Sequence, residues 1–292
     1  MLPATRSLYR KAYKAQIDSL DSIDRRAVKA ATKTVFKLRQ EVVRALRNKD
    51  TDILALPGRI STRLIQESLP DILKSMVTAD LVGRSPYKAR EMALSQFDIQ
   101  LEKWRKLIGI STRDITLLTS KYKAEGLASL QKFAARIEVE LRGLIQSLLS
   151  DGATVRTATK EIDARLSAIG VTEFKTYNIE AVYRTASSVA FNAGKWAALQ
   201  EPWQQEILWG FQYSAIDDSR VRENHWAANG TTLPKSDPFW QTMWPPNGYN
   251  CRCDAIPLYA PETIVYPGEG AYPDDGWGFN PGIVLQDYRQ AA

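Results

Sequence analysis

From Ala4 to Leu56 the chain contains neither glycine nor proline, and its apolar residues recur every three or four positions. Tyr9, Tyr13, Ile17, Leu20, Ile23, Ala27, Ala31, Val35, Leu38, Val42 and Leu46 draw one stripe at that spacing. The pattern predicts a long amphipathic helix, or two joined by a tight turn. It does not fit a strand, whose side chains alternate with a period of two. The opposite face is basic: residues 1–50 hold thirteen Lys and Arg against five Asp and Glu, an excess larger than the net charge of +6 for the whole chain. Such a face suits either solvent or an acidic partner, and charge alone selects neither. The candidate contacts for DNA or an acidic protein surface are Arg25, Arg26, Lys29, Lys33, Lys37, Arg44 and Arg47.

Pro57-Gly58 ends this element, and a second helical stretch is expected from Ile60 to Leu81, kinked or restarted at Pro70. Ser85-Pro86 reads as a cap for a helix reaching Ile108. Ser111 with Asp114 marks another helical run to about Leu149, with a break expected at Gly126. A short helix should end near Ala168, and a longer one should run from about Glu173 to Leu199. Composition then changes abruptly. Beyond Glu201 come Trp203, Trp209, Trp226, Trp240, Trp244 and Trp277 among many prolines and glycines. Ile207–Tyr213 and Cys253–Leu258 read as strands, with Pro257 confining the second to a sheet edge or ending it, and Ser219–Ala228 reads as a short helix. The predicted fold class is α+β: a long-helix, all-α part over residues 1–150, then a compact α+β module over residues 151–292 with a small antiparallel sheet.

The only histidine and both cysteines fall within this module. On a strand, Cys251 and Cys253 point to one face, and His225 with Asp218 or Asp217 could complete a ligand set for zinc. Cys-x-Cys with no second pair is a weaker metal signal than paired Cys-x-x-Cys motifs, so the expectation is no cofactor, with zinc as the possible exception. The plainer reading makes the thiols small buried groups and His225 a hydrogen-bonded pin. Pro245-Pro246-Asn247-Gly248 is expected to form a stiff turn, with Asn-Gly supplying positive φ and with Trp240 and Trp244 packed beneath. Arg220 and Arg252 are expected to pair with Asp217, Asp218 and Asp254 in a buried network, a phosphate site being the competing idea. No Gly-x-Ser-x-Gly elbow, deaminase His-x-Glu signature or Walker loop is present, so no catalytic residue is nominated. The alternative from another class is a zinc-dependent hydrolase or nuclease using His225, Cys251 and Cys253.

Taken in order, these motifs resemble the minor head protein (head morphogenesis) family of tailed bacteriophages, the phage Mu F-like family, over roughly residues 150–282. The resemblance rests on Arg184-Thr185, Asn192-Ala193-Gly194, Asp218-x-Arg220 with His225, and Gly230. It continues through Asp237-Pro238-Phe239-Trp240, Pro245-Pro246-Asn247-Gly248-Tyr249-Asn250-Cys251-Arg252-Cys253 and Gly278 with Asn280-Pro281-Gly282. Val221 departs from it, standing where the family pattern has threonine. The resemblance implies a non-enzymatic virion component in few copies, bound near the portal inside the head and present in the host cytoplasm during assembly. The implied partners are portal, scaffolding or major capsid protein, and double-stranded DNA. Some relatives carry a toxin domain behind the module; Ile283–Ala292 are expected to be too few residues for one. No membrane segment or secretion signal is expected from the hydropathy pattern.

Overall fold

The computed structural model describes residues 55–84, 112–150 and 179–284, with a scatter of helical or turn residues at Arg25, Lys33, Lys37, Gln40, Glu41, Arg44, Ala45, Asn48, Arg156, Thr157, Lys160, Glu161 and Ala164. The elements are α1 (Leu56–Arg84), α2 (Thr112–Ser150), α3 (Ile179–Leu199), α4 (Pro202–Ile207), β1 (Gly210–Ser214), α5 (Glu223–Ala227), β2 (Thr232–Pro234), α6 (Phe239–Thr242), β3 (Asp254–Leu258) and α7 (Pro281–Val284). Long helices followed by a three-stranded antiparallel sheet make the fold class α+β, as the composition break implies. None of the described helices is long and apolar enough to cross a membrane. The expected helix from Ser85-Pro86 to Ile108 lies outside the described residues.

The described residues form two compact units, and α1, α2 and α3 contribute to both. One unit takes residues 55–75, 123–150 and 179–186. Its helices bury Leu56, Ile60, Leu64 and Ile72 from α1 and Leu130, Phe133, Ile137, Leu141 and Ile145 from α2, all at helical spacing. The Tyr183 hydroxyl of α3 donates to the Ser68 carbonyl at 2.9 Å, just before Pro70. Pro70 lies within α1, which runs through it without restarting, and, contrary to expectation, α2 passes through Gly126 unbroken. Gly126 is buried, so packing offsets the weak helix preference of glycine.

The other unit takes residues 76–84, 112–122 and 187–284. Here α1 and α3 approach to backbone contact through two glycines. A Cβ on Gly83 would lie 2.1 Å from the Phe191 carbonyl oxygen, and one on Gly194 would lie 2.2 Å from that of Asp80. Beside this crossing the fully buried Asp80 carboxylate accepts hydrogen bonds from the Tyr122 hydroxyl and the Arg84 guanidinium. Burial, then the Asp80 charge, hold the Tyr122 phenol well above its ordinary range.

The sheet order is β2-β1-β3, with Phe211 opposite Leu233 on one side and Pro257 on the other. β3 is an edge strand, the position in which Pro257 is tolerated. Phe211 and Tyr213 share one face of β1 and are buried, while Gln212 between them is half-exposed, as period-two alternation requires. β1 begins three residues later than the apolar run suggests, because Pro202 starts a helical turn that reaches Ile207. The helix expected over Ser219–Ala228 is confined to Glu223–Ala227.

Candidate functional site

Phe211, Tyr213, Trp240 and Trp244 lie at the core of the second unit. Phe211 meets Trp240 and Trp244 edge-to-face at 5.2 and 5.0 Å, and Trp196 meets Trp244 at 4.8 Å. Both buried indoles find acceptors: Trp240 Nε1 donates to Pro234 O at 3.1 Å and Trp244 Nε1 to Asn192 O at 3.3 Å. Asn280 is equally enclosed. Its Nδ2 donates to Trp240 O and its Oδ1 accepts from Gly282 N. A Cβ on Gly282 would lie 2.3 Å from Trp196 Cβ and Cγ, so the Asn-Pro-Gly segment closes flat against the core.

Against this core, α5 and the loop between α6 and β3 bring His225, Cys251 and Cys253 together; contrary to expectation the strand begins only at Asp254, so neither cysteine lies on it. The Cys251 and Cys253 sulfurs lie 3.7 and 3.8 Å from His225 Nδ1. His225 is 1 % exposed and each cysteine 5 %. On the far side of the ring, Nε2 lies 3.1 Å from Asn247 O and 3.3 Å from Asp274 Oδ1, the geometry of a donor held by two acceptors. Asn247 is the hub of the loop: its Oδ1 accepts from the Tyr213 hydroxyl at 2.8 Å, and its carbonyl also accepts from Asp274 N at 2.9 Å. Asp274 is in turn held by Arg222, at 3.2 Å, and Asn224, also at 3.2 Å.

Electrostatics separate the two thiols. Burial pushes the Cys251 thiol up, but hydrogen bonding from Cys253 and His225 outweighs it and holds the group well below its usual range. Cys253 is pushed well above that range, first by its bond to Cys251 and then by burial. Burial opposes charge on His225, yet its hydrogen bond to Cys251 and the Cys251 and Asp274 charges turn the balance upward.

Three of the four ligands expected from the sequence thus converge. The fourth, Asp218, stands apart: Arg252 binds its two oxygens in a fork, each bond 2.7 Å, and Arg220 adds a contact at 3.1 Å. Of the carboxylates expected in a buried arginine network, Asp218 is the one that the two arginines hold; Asp218 and Arg252 are only half-buried, and Asp217 and Arg220 are exposed. The buried ion pair is a different one, Lys195 Nζ to Asp254 Oδ2 at 2.7 Å. The positive φ expected from Asn247-Gly248 falls instead on Asn250, at 56°, and on Gly230, at 82°, just behind α5. Gly248 is needed for closeness: a Cβ there would lie 2.1 Å from Asp274 Oδ2. Pro245-Pro246 is a buried cis pair. Thr185 is buried and Arg184 half-buried on α3. Of the nominated basic contacts, Arg25, Lys33, Lys37 and Arg44 are exposed helical residues; Arg26, Lys29 and Arg47 lie outside the described residues. Sequence reasoning missed Asp274, Arg222 and Tyr213, whose roles appear only once distant segments meet.

Residues 140–256 match the family model described as Phage Mu protein F like protein. Over those residues the chain is similar to the phage Mu F-like family. Among curated proteins, the Mu-like prophage FluMu F protein of Haemophilus influenzae is 36% identical over 87 residues, 29% of this chain and 20% of that protein. The putative capsid assembly protein F of Escherichia phage Mu is 29% identical over 145 residues, 44% of this chain and 33% of that protein. The chain therefore spans no more than about a third of the length of these relatives. No solved structure matches. The matched region contains the His225, Cys251 and Cys253 cluster and the Asp218–Arg252 fork; Asp274 and the Asn280-Pro281-Gly282 closure lie beyond it.

Proposed function

We propose that this protein is a component of a bacteriophage head and acts in head assembly by binding, with its Mu F-like unit as a rigid docking module. The observation that carries this reading is the family match over residues 140–256, together with the relative in phage Mu named for capsid assembly. The internal chemistry supports it. Asn247, Asn280, Trp240 and the Asp218–Arg252 fork direct their polar groups at neighbours within the module and brace it. The finer reading has the protein near the portal inside the head, contacting portal, scaffolding or major capsid protein. The exposed Arg25, Lys33, Lys37 and Arg44 are the part suited to double-stranded DNA. The competing hydrolase or nuclease reading would need substrate to reach His225, Cys251 and Cys253, and their burial counts against it.

The test is a phage carrying an amber codon in this gene. Loss of filled heads, restored by supplying the protein in trans, is expected, and the protein should be found in complemented particles. Normal yields of filled heads without the protein would refute the assembly role. The DNA contact is tested separately by binding to duplex DNA at increasing salt. Affinity should fall steeply, by about 10³-fold or more between 50 and 200 mM salt if six or more phosphates are met. Deleting residues 1–50 should abolish it, and binding indifferent to salt would refute this part.

A further inference from the structure

We infer that His225 Nδ1 and the sulfurs of Cys251 and Cys253 bind a zinc ion that clasps α5 to the loop leading into β3. Three features of the site carry this. The first is spacing. Zn–S bonds of about 2.3 Å and a Zn–N bond of about 2.0–2.1 Å at the tetrahedral angle put each sulfur about 3.6 Å from the nitrogen. The observed separations are 3.7 and 3.8 Å, and all three donor atoms lie within 4.8 Å of one another.

The second feature is the number of partners. Nδ1 has a single lone pair or a single proton, so it makes one good hydrogen bond. Here it faces two sulfurs at nearly equal distance, an arrangement that one proton serves poorly and a metal ion between three donors serves well. The third is the other side of the ring. The Nε2–H donates to Asn247 O with the Asp274 carboxylate adjacent, which directs the Nδ1 lone pair toward the sulfurs when the imidazole is neutral. Metal-bound histidines are held in this way by a backbone carbonyl or carboxylate behind them.

Two sulfurs and an imidazole are a donor set that zinc prefers over the hard cations, which take oxygen. The ligands bind deprotonated, so loading releases protons to solvent and affinity falls with falling pH. Among the described residues no further histidine, cysteine or carboxylate joins the group, which leaves one tetrahedral position to water or a backbone carbonyl. With the donors 1 % and 5 % exposed, the ion is structural. It would join segments 26 and 28 residues apart in sequence.

The experiment measures metal on the full-length chain, purified under reducing conditions without chelator or metal-affinity resin. Elemental analysis should find about one zinc per chain in the wild type. Cys251→Ser, Cys253→Ser and His225→Ala should each lose most of it. Asp218→Asn should retain it, and loss in that variant would overturn the ligand set. Asp274→Asn should weaken zinc binding about 10–100-fold while the protein stays folded. The wild type supplies a second readout that does not depend on the ligand variants folding. Chelator-stripped protein titrated with Co²⁺ should develop sulfur-to-cobalt charge-transfer absorption, and added zinc should protect both thiols from alkylation. Wild-type protein that carries no metal, shows no cobalt band and alkylates at the same rate with and without zinc overturns the inference. The head-assembly reading is independent of that result, because zinc content is measured on the isolated chain.

Discussion

The Asn192-Ala193-Gly194 motif can be tested as packing with a single methyl group. Alanine at Gly194 favours the helix by about 1 kcal/mol on intrinsic propensity. In the structure its Cβ would lie 2.2 Å from the Asp80 carbonyl oxygen and 2.9 Å from the Asp80 carbonyl carbon and Cα. Favourable contacts between such atoms begin at about 3.5 Å, so the overlap is roughly 1 Å, and backbone cannot rotate away from it. Overpacking of this kind costs about 1–3 kcal/mol. Moving Asp80 also disturbs the buried carboxylate that holds Tyr122 and Arg84, a network whose disruption adds to that cost. The steric effect outweighs the propensity, and Gly194→Ala should destabilise by roughly 2 kcal/mol net, a fall in Tm of about 4–8 °C. Gly143 on α2 is the internal control. It is exposed with nothing within 4 Å of an added Cβ, so Gly143→Ala should stabilise by up to about 1 kcal/mol. Thermal unfolding followed by circular dichroism and by tryptophan fluorescence reads both variants. A Gly194→Ala protein as stable as wild type would refute the backbone-contact account.

Two further predictions use the charges of the same unit. Lys195→Met leaves the Asp254 carboxylate buried and unpaired, and should cost about 3–5 kcal/mol in urea unfolding. Replacing both partners by apolar residues should recover most of that loss; a single variant costing less than about 1 kcal/mol would mean that the pair is not desolvated. For Asp218, the Arg252 fork holds the folded carboxyl well below its ordinary value, with Arg220 adding to the effect. The folded state therefore binds fewer protons than the unfolded one. The pair's contribution is complete above the unfolded value of about 3.9 and is lost as pH falls below it toward the folded value. The difference in Tm between wild type and Asp218→Asn should shrink from pH 5 to pH 2.5, about the window set by that unfolded value, and a constant difference would refute the assignment.

The helices were legible because their signal is local. Leu56, Ile60 and Leu64 repeat at helical spacing, and nothing distant is needed to read them. Gly126 misled for the complementary reason: its intrinsic preference is real, but burial along α2 outweighs it. The strands were half-legible. The alternation of Phe211, Gln212 and Tyr213 is visible in sequence, while β2 is only Thr232–Pro234 and owes its existence to pairing with β1. At the site, the rarity of histidine and cysteine singled out His225, Cys251 and Cys253. Asp218 looked equally eligible because a carboxylate near a histidine in sequence resembles a ligand. Only the fold reveals that Arg252, beside both cysteines, claims it, and that Asp274, 49 residues beyond His225, takes the position behind the ring.

That division of labour bears on how such a module meets partners. His225, Asn247, Cys251, Cys253, Trp240 and Asn280 are buried and bonded to one another's segments, so this part of the motif specifies a shape rather than a contact surface. Outside the motif, Trp203, Trp226, Tyr266 and Tyr272 are large apolar side chains exposed to solvent. Their identities are free to change without loosening the core, because none lies in its buried cluster. One braced scaffold can thus present different faces, which suits a unit shared with a relative as divergent as 29% identity. Substituting Trp226 and Tyr272 by serine should accordingly leave Tm within about 1 °C while reducing incorporation into particles, whereas motif substitutions should lower both together.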